Sequence, residues 1–177
     1  SYAHLPERFA AQRKIPTEAL PNAHQKLELL ALSVKTLGQA GYQPIGMDHF
    51  AKTHDSLAIA QRQGRLQRNF QGYTTDNCPT MLGLGVSAIS QVGNQIWQHQ
   101  KDLNQYYRQQ QSSGHSIDKG MVLSLDDQIR ADLIAELMCN FRLDIAAFAG
   151  KWQLDFKHYF ADSLAQLAPC QQDGLIQ

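Results

Sequence analysis

Asn22-Ala-His-Gln-Lys-Leu-Glu-Leu-Leu-Ala-Leu-Ser-Val-Lys-Thr-Leu-Gly-Gln-Ala-Gly-Tyr-Gln-Pro-Ile-Gly-Met-Asp-His49 carries the fold class. Asn22 follows a proline and can accept from the backbone three residues on, while Gln25 can reach back, the reciprocal pattern of a capping box. Leu27, Leu30, Val34 and Leu37 then recur at steps of three and four, one face of a helix from about Ala23 to Ala40. Gly41 can take the left-handed conformation that ends it. Tyr42 to Met47 reads as a short strand, and Pro44 confines it to a sheet edge or a strand start. A helix feeding a strand that ends on the polar pair Asp48-His49 is the αβ unit of an α/β protein, where functional sites gather.

Downstream, residues 55–66 read as a short helix capped by Asp55 and broken by Gly64. Residues 69–93 turn rich in Gly, Thr and Ser and read as functional loops. Residues 97–111 form a Gln- and Tyr-rich helical stretch, and Ser112-Ser-Gly-His-Ser116 opens a linker to about residue 123. Ser124-Leu-Asp-Asp127 starts a further helix with acidic residues at its positive end. Its expected face comprises Ile129, Leu133, Ile134, Leu137, Met138 and Phe141. Short helices over 146–152 and 156–167 follow, and Asp173 to Gln177 reads as a turn with the first residues of a strand. The fold class is thus α/β to α+β and predominantly helical, with domains at 1–111 and 124–177. The second is an incomplete, winged-helix-like helical domain.

The 177 residues carry 16 Lys+Arg and 16 Asp+Glu, net charge zero, and a mean hydropathy of −0.39. That balance argues against nucleic acid or an acidic membrane as partner. The helix over 156–167 offers only Lys157 and His158 to phosphates, against the several contacts a winged-helix DNA binder needs. No run reaches the ~18 apolar residues of a membrane span. Cys78, Cys139 and Cys170 lack the spacing of a disulfide framework or a local metal motif and read as reduced thiols of a cytoplasmic protein.

Gly83-x-Gly85-x-x-Ala88 matches a dinucleotide fingerprint in letters, without the preceding strand or the later acidic residue that would support it. A turn that lets backbone approach a ligand or another strand accounts better for these glycines. His4, Asp48, His49 and His54 could converge on a metal or stand apart as separate histidines. Arg62, Arg65 and Arg68 would share a face if helical, and guanidinium groups suit carboxylates. A solvated helix face is the other reading. No residue pattern identifies a catalytic nucleophile or base.

Five stretches, in order, resemble one family: Ser1-Tyr-Ala-His-Leu-Pro6, Gly46-Met-Asp-His-Phe-Ala51, Arg68-Asn-Phe-Gln-Gly-Tyr-Thr-Thr75, Gly83-Leu-Gly-Val-Ser-Ala-Ile-Ser90 and Cys139-Asn-Phe-Arg142. The chain is similar to the oxygen-independent coproporphyrinogen III oxidases, radical S-adenosylmethionine enzymes of haem biosynthesis. The resemblance implies oxidative decarboxylation of two propionates of coproporphyrinogen III to vinyl groups, giving protoporphyrinogen IX. Hydrogen abstraction by a 5′-deoxyadenosyl radical would drive it. It also implies a [4Fe–4S] cluster, an electron donor, and the last part of a partial (β/α) barrel ahead of the helical domain. Carried over residue by residue, Ala3 and Ile89 match positions that contact S-adenosylmethionine. Phe70 and Gln71 match positions lining the same cavity. Against four substrate propionates, Arg62, Arg68 and Tyr73 become candidates for substrate binding.

The cluster cysteines of the family fall before Ser1, and Cys78, Cys139 and Cys170 do not replace them. The expectation is a C-terminal portion, inert alone and prone to self-association through faces meant for the missing part. The complete enzyme would be monomeric. A non-catalytic porphyrin-binding or interaction module that lost the cluster is the alternative.

Overall fold

The computed structural model describes residues 3–177, so Ser1 and Tyr2 of the first motif lie outside the described residues. The described chain mixes helices and antiparallel sheet in two compact units. One runs to Gln67 and includes Tyr73–Thr75. The other holds Arg68–Gly72 and Asp76–Gln177.

In the first unit, α1 (Ala23–Gln39) begins with the expected capping box. Asn22 Oδ1 accepts from the Gln25 amide at 2.9 Å, and Gln25 Oε1 accepts from the Asn22 amide at 3.0 Å. Gly41 ends the helix at φ +81°. The stripe is only partly covered: Leu27, Leu30 and Val34 remain 65%, 53% and 41% exposed.

β1 (Tyr42–Gly46) is the expected short strand, but it does not stop at the polar tip. The chain turns through Met47 at φ +49° and returns as β2 (His49–Lys52), antiparallel, with Tyr42 opposite Lys52 and Pro44 opposite Phe50. α2 (Ser56–Arg62) packs on both strands and is capped by Asp55, whose Oδ1 accepts from the Leu57 amide at 2.8 Å. It ends before the expected residue 66 because Gly64 sits at φ +64°. Ile45, Ala51, Ala58, Ala60, Leu66 and Tyr73 are the buried hydrophobic residues of this unit.

β3 (Gln67–Asn69) and β4 (Gly72–Thr74) pair as a hairpin whose apex, Phe70-Gln71, belongs to the second unit. There the glycine-rich segment, expected as loops, carries β5 (Thr80–Met81) and β6 (Ile89–Val92). β7 (Gln95–His99) occupies the start of the expected 97–111 helix, so α3 (Leu103–Ser113) begins only after its Asp102 cap. β8 (Ile117–Val122) lies inside the stretch read as a linker. The four strands form one sheet in the order β5-β6-β7-β8, antiparallel throughout. Ser116 is fully buried, and its Oγ is satisfied there by His99 Nδ1 at 2.9 Å.

α4 (Leu125–Asn140), α5 (Ile145–Trp152), α6 (Phe156–Tyr159) and α7 (Ala161–Gln172) follow. α4 starts at the expected Ser124, with a capping box between Ser124 and Asp127. Ile129, Phe148, Phe156 and Phe160 make the core, with Leu133 against it. Ile134, Leu137 and Phe141, expected on the same apolar face as Ile129, are exposed instead. The helices are also tied by polar contacts, since the Asp132 carboxylate accepts from Trp152 Nε1 at 2.7 Å and Lys151 Nζ at 2.8 Å. α7 runs through Pro169, whose carbonyl still accepts from the Asp173 amide at 2.9 Å, and no strand follows it among the described residues.

Candidate functional site

The site is built on one face of the four-stranded sheet. Side chains alternate across a strand, so opposed residues fall into rows on the same face. The register sets Ile89 opposite Gln98 and Gln98 opposite Lys119. The next row on that face is Gln91, Ile96 and Met121, while Ser90, Trp97 and Gly120 form the row between them on the other face. Ile89, Ile96, Gln98, Lys119 and Met121 then line a cavity of about 310 Å³, with Trp97 and Gly120 also on its wall. Phe70 joins them from the β3–β4 apex.

Local chemistry holds each wall. At the hairpin apex Asn69 Oδ1 accepts from the Gln71 amide at 2.8 Å, and Gly72 takes φ +134°, leaving Phe70 half exposed. The glycine-rich loop is fastened at both ends. Ser90 Oγ accepts from the Gly83 amide at 2.9 Å, and Ser87 donates its amide to the Gln100 carbonyl at 2.8 Å. A Cβ at Gly83 would stand 2.5 Å from the Ile89 carbonyl oxygen, so this glycine is required for the loop to close on β6. Gln98 Nε2 donates to the Ser87 carbonyl at 2.9 Å, joining loop to wall.

Of the expected cofactor residues, Phe70 and Ile89 are thus brought together. Gln71 is next to Phe70 at the apex but does not line the cavity. Ala3 lies in the first unit, where its carbonyl accepts from Gln12 Nε2 at 3.1 Å. The three arginines do not share a helical face. Arg62 closes α2, Arg65 follows Gly64, and Arg68 is on β3. Arg62 is engaged within its own unit, donating to the Thr53 carbonyl at 2.8 Å and to Gln43 Oε1 at 3.3 Å. Tyr73 is buried with its ring edge-on to His49 at 5.2 Å. Gln98, Lys119 and Met121 escaped the sequence reading because they fell in an expected helix and an expected linker, and Ile96 because it fell just before that helix. The alternation of Ile96 with Gln98, and of Lys119 with Met121, was the available signal.

The thiols do not suit an iron–sulfur cluster. Cys78 is exposed, Cys139 buried and Cys170 intermediate. Burial, with Glu136 adding to it, pushes the Cys139 thiol above its ordinary value, against the thiolate a cluster needs. Among the described residues no three His, Cys, Asp or Glu side chains gather as a metal site. His49 therefore stands in a pair, its Nδ1 3.4 Å from Asp48 Oδ1. No described helix is long and apolar enough to cross a membrane.

The HemN C-terminal domain family matches residues 123–177, which hold all of α4 to α7. Over 176 residues, 99% of this chain, the sequence is 53% identical to the oxygen-independent coproporphyrinogen III oxidase of Salmonella typhimurium, and covers 38% of that protein. The Pseudomonas aeruginosa relative of the same name is 45% identical over 177 residues, with 38% of its length covered. A solved structure described as coproporphyrinogen III oxidase (HemN) from Escherichia coli, a radical SAM enzyme, superposes with a TM-score of 0.95 at 52% identity. That match covers 99% of this chain and 41% of the other. The chain matches the C-terminal portion of the coproporphyrinogen III oxidases. It spans about two-fifths of the length of these relatives. Within this HemN-like portion, the cavity walled by Phe70 and Ile89 unites two of the motifs that carried the resemblance.

Proposed function

We propose that this chain is the substrate-side portion of a radical S-adenosylmethionine coproporphyrinogen III oxidase. In this reading the whole protein converts two propionates of coproporphyrinogen III to vinyl groups, in the cytoplasm, as a monomer, with electrons from a separate donor. Residues 1–111 contribute the last part of the barrel and residues 124–177 the helical, winged-helix-like domain, joined through 112–123.

The observation that carries the reading is the meeting of Phe70 and Ile89, from separate motifs, on one largely apolar cavity. An apolar wall with few polar groups suits a cofactor's ring face and keeps water from a reactive centre. S-adenosylmethionine, when bound and reduced, supplies hydrogen abstraction; Phe70 and Ile89 would give it surface contact, with Gln71 beside Phe70 at the hairpin apex. The cluster has no fitting ligands here, so its part falls to residues outside this chain, and no step through it is assigned to these side chains. What this portion does is bind, orient and exclude water.

The test is the full-length protein with its cluster reconstituted, assayed for protoporphyrinogen formation. Phe70→Ala and Ile89→Asp should each lower kcat/KM by about tenfold or more, because a reactant held loosely loses its aligned geometry. Activity equal to wild type in both variants would remove this cavity from the reaction.

A further inference from the structure

We propose that Lys119 holds a propionate carboxylate of the tetrapyrrole substrate at the rim of this cavity; the inference rests on the function proposed above. Ile89, Gln98 and Lys119 occupy one row across β6, β7 and β8, and Ile96 and Met121 stand in the next row on the same face. The side chains facing Lys119 on the cavity wall, Phe70, Ile89, Ile96, Gln98 and Met121, are all uncharged. Its neighbour in sequence, Asp118, is the extra residue where the β7–β8 register slips; it does not line the cavity, and its Oδ1 accepts from Gln100 Nε2 at 3.0 Å. Among the described residues no carboxylate comes within ion-pair distance of the Lys119 ammonium.

A single cation above an apolar wall is complementary to a ligand with an apolar ring body and a bare anionic arm. At about 310 Å³ the cavity is too small for the whole macrocycle, so the substrate would reach its rim by one propionate arm at Lys119, beside the cofactor at Phe70 and Ile89. The other carboxylate in this reading, the amino-acid end of S-adenosylmethionine, comes with an ammonium beside it. That zwitterion calls for an acidic partner next to the lysine, and this wall offers none. Gly120, between Lys119 and Met121, lets β8 lie close against β7 under the opposite-face Trp97. A Cβ there would lie 3.0 Å from the Ile96 carbonyl oxygen and 3.2 Å from Trp97 Cβ.

Lysine on an edge strand also discourages edge-to-edge pairing, so the experiment must read ligand and not solubility alone. In the full-length protein, Lys119→Gln should raise KM for coproporphyrinogen III about tenfold, with kcat within about twofold of wild type. KM for S-adenosylmethionine should stay unchanged, and Lys119→Arg should restore the wild-type value. An unchanged coproporphyrinogen KM in Lys119→Gln, with wild type active, overturns the role of Lys119 and leaves the cavity reading standing. A rise in the S-adenosylmethionine KM instead assigns the carboxylate to the cofactor and overturns it equally. A wild-type protein that does not turn over coproporphyrinogen III sinks both the lysine and the function it rests on.

Discussion

Replacing Gly46 with alanine should destabilise the first unit by forcing a methyl group into the Tyr73 ring. A Cβ built at Gly46 lies 2.6 Å from Tyr73 Cζ and overlaps the hydroxyl oxygen. Carbon atoms at rest sit about 3.5–4.0 Å apart, so the ring must retreat by about 1 Å. It has little room, since Tyr73 is 9% exposed and its ring stands edge-on to His49 at 5.2 Å. Overpacking of this kind costs about 1–3 kcal/mol. Gly46 is not among the residues with positive φ, so alanine also gains about 0.4–1 kcal/mol by restricting the unfolded chain. The net expectation is a loss of about 1–2 kcal/mol. Urea unfolding followed by circular dichroism would measure it, and a double-mutant cycle with Tyr73→Leu isolates the contact. If the clash is the cause, Gly46→Ala should cost nothing or stabilise once Tyr73 is leucine. An equal loss with tyrosine and with leucine at 73 would refute the steric argument.

The Asp126–Arg130–Tyr159 cluster makes stability depend on pH at both extremes. Hydrogen bonds from Arg130 and Tyr159 hold the Asp126 carboxyl below its ordinary 3.8, so its contribution is present above about that pH and lost as pH falls through the lowered value. The hydrogen bond to Asp126 raises the Tyr159 hydroxyl above 10.0, so that contribution is present below this pH and lost as pH rises through the raised value. Tyr159→Phe should flatten the alkaline arm and weaken the acid arm of a Tm-against-pH curve; an unchanged curve would deny the cluster its role. The exposed leucines of α1 should make this 177-residue chain self-associate, and Leu27→Lys with Leu30→Lys should shift sedimentation toward monomer. A wild-type chain that stays monomeric at high concentration would count against that surface being sticky.

Local signals were readable, and non-local ones were not. The Asn22–Gln25 and Ser124–Asp127 caps and the Gly41 stop depend on residues within one turn, so their letters suffice. β5 and β6 are two and four residues long and gain their stability from partners elsewhere in the chain. Their glycines therefore looked like loop. β8 pairs with β7 across the whole of α3, and Ser116 is buried with its hydroxyl bonded to His99 seventeen residues away, so a serine-rich stretch read as a linker. Apolar periodicity on α4 gave the helix but not its orientation, since Ile129 faces the core while Ile134 and Leu137 do not. For the site, the motifs supplied Phe70 and Ile89, and the rest of the cavity wall needed the register of β7 and β8.

That register has a consequence of parity. Lys119 and Met121 share the wall with Ile89 only because the chain between β7 and β8 has the length it has. One residue added in the Gly114–Ser116 turn would present Asp118 and Gly120 in their place, exchanging a cation for an anion, and one removed would present the uncharged Gly120 and Val122. Two residues would restore the facing while moving the row along the strand. Length variation in this crossover should therefore survive in even steps or be absorbed inside α3, and an odd step should reverse or remove the charge the cavity offers.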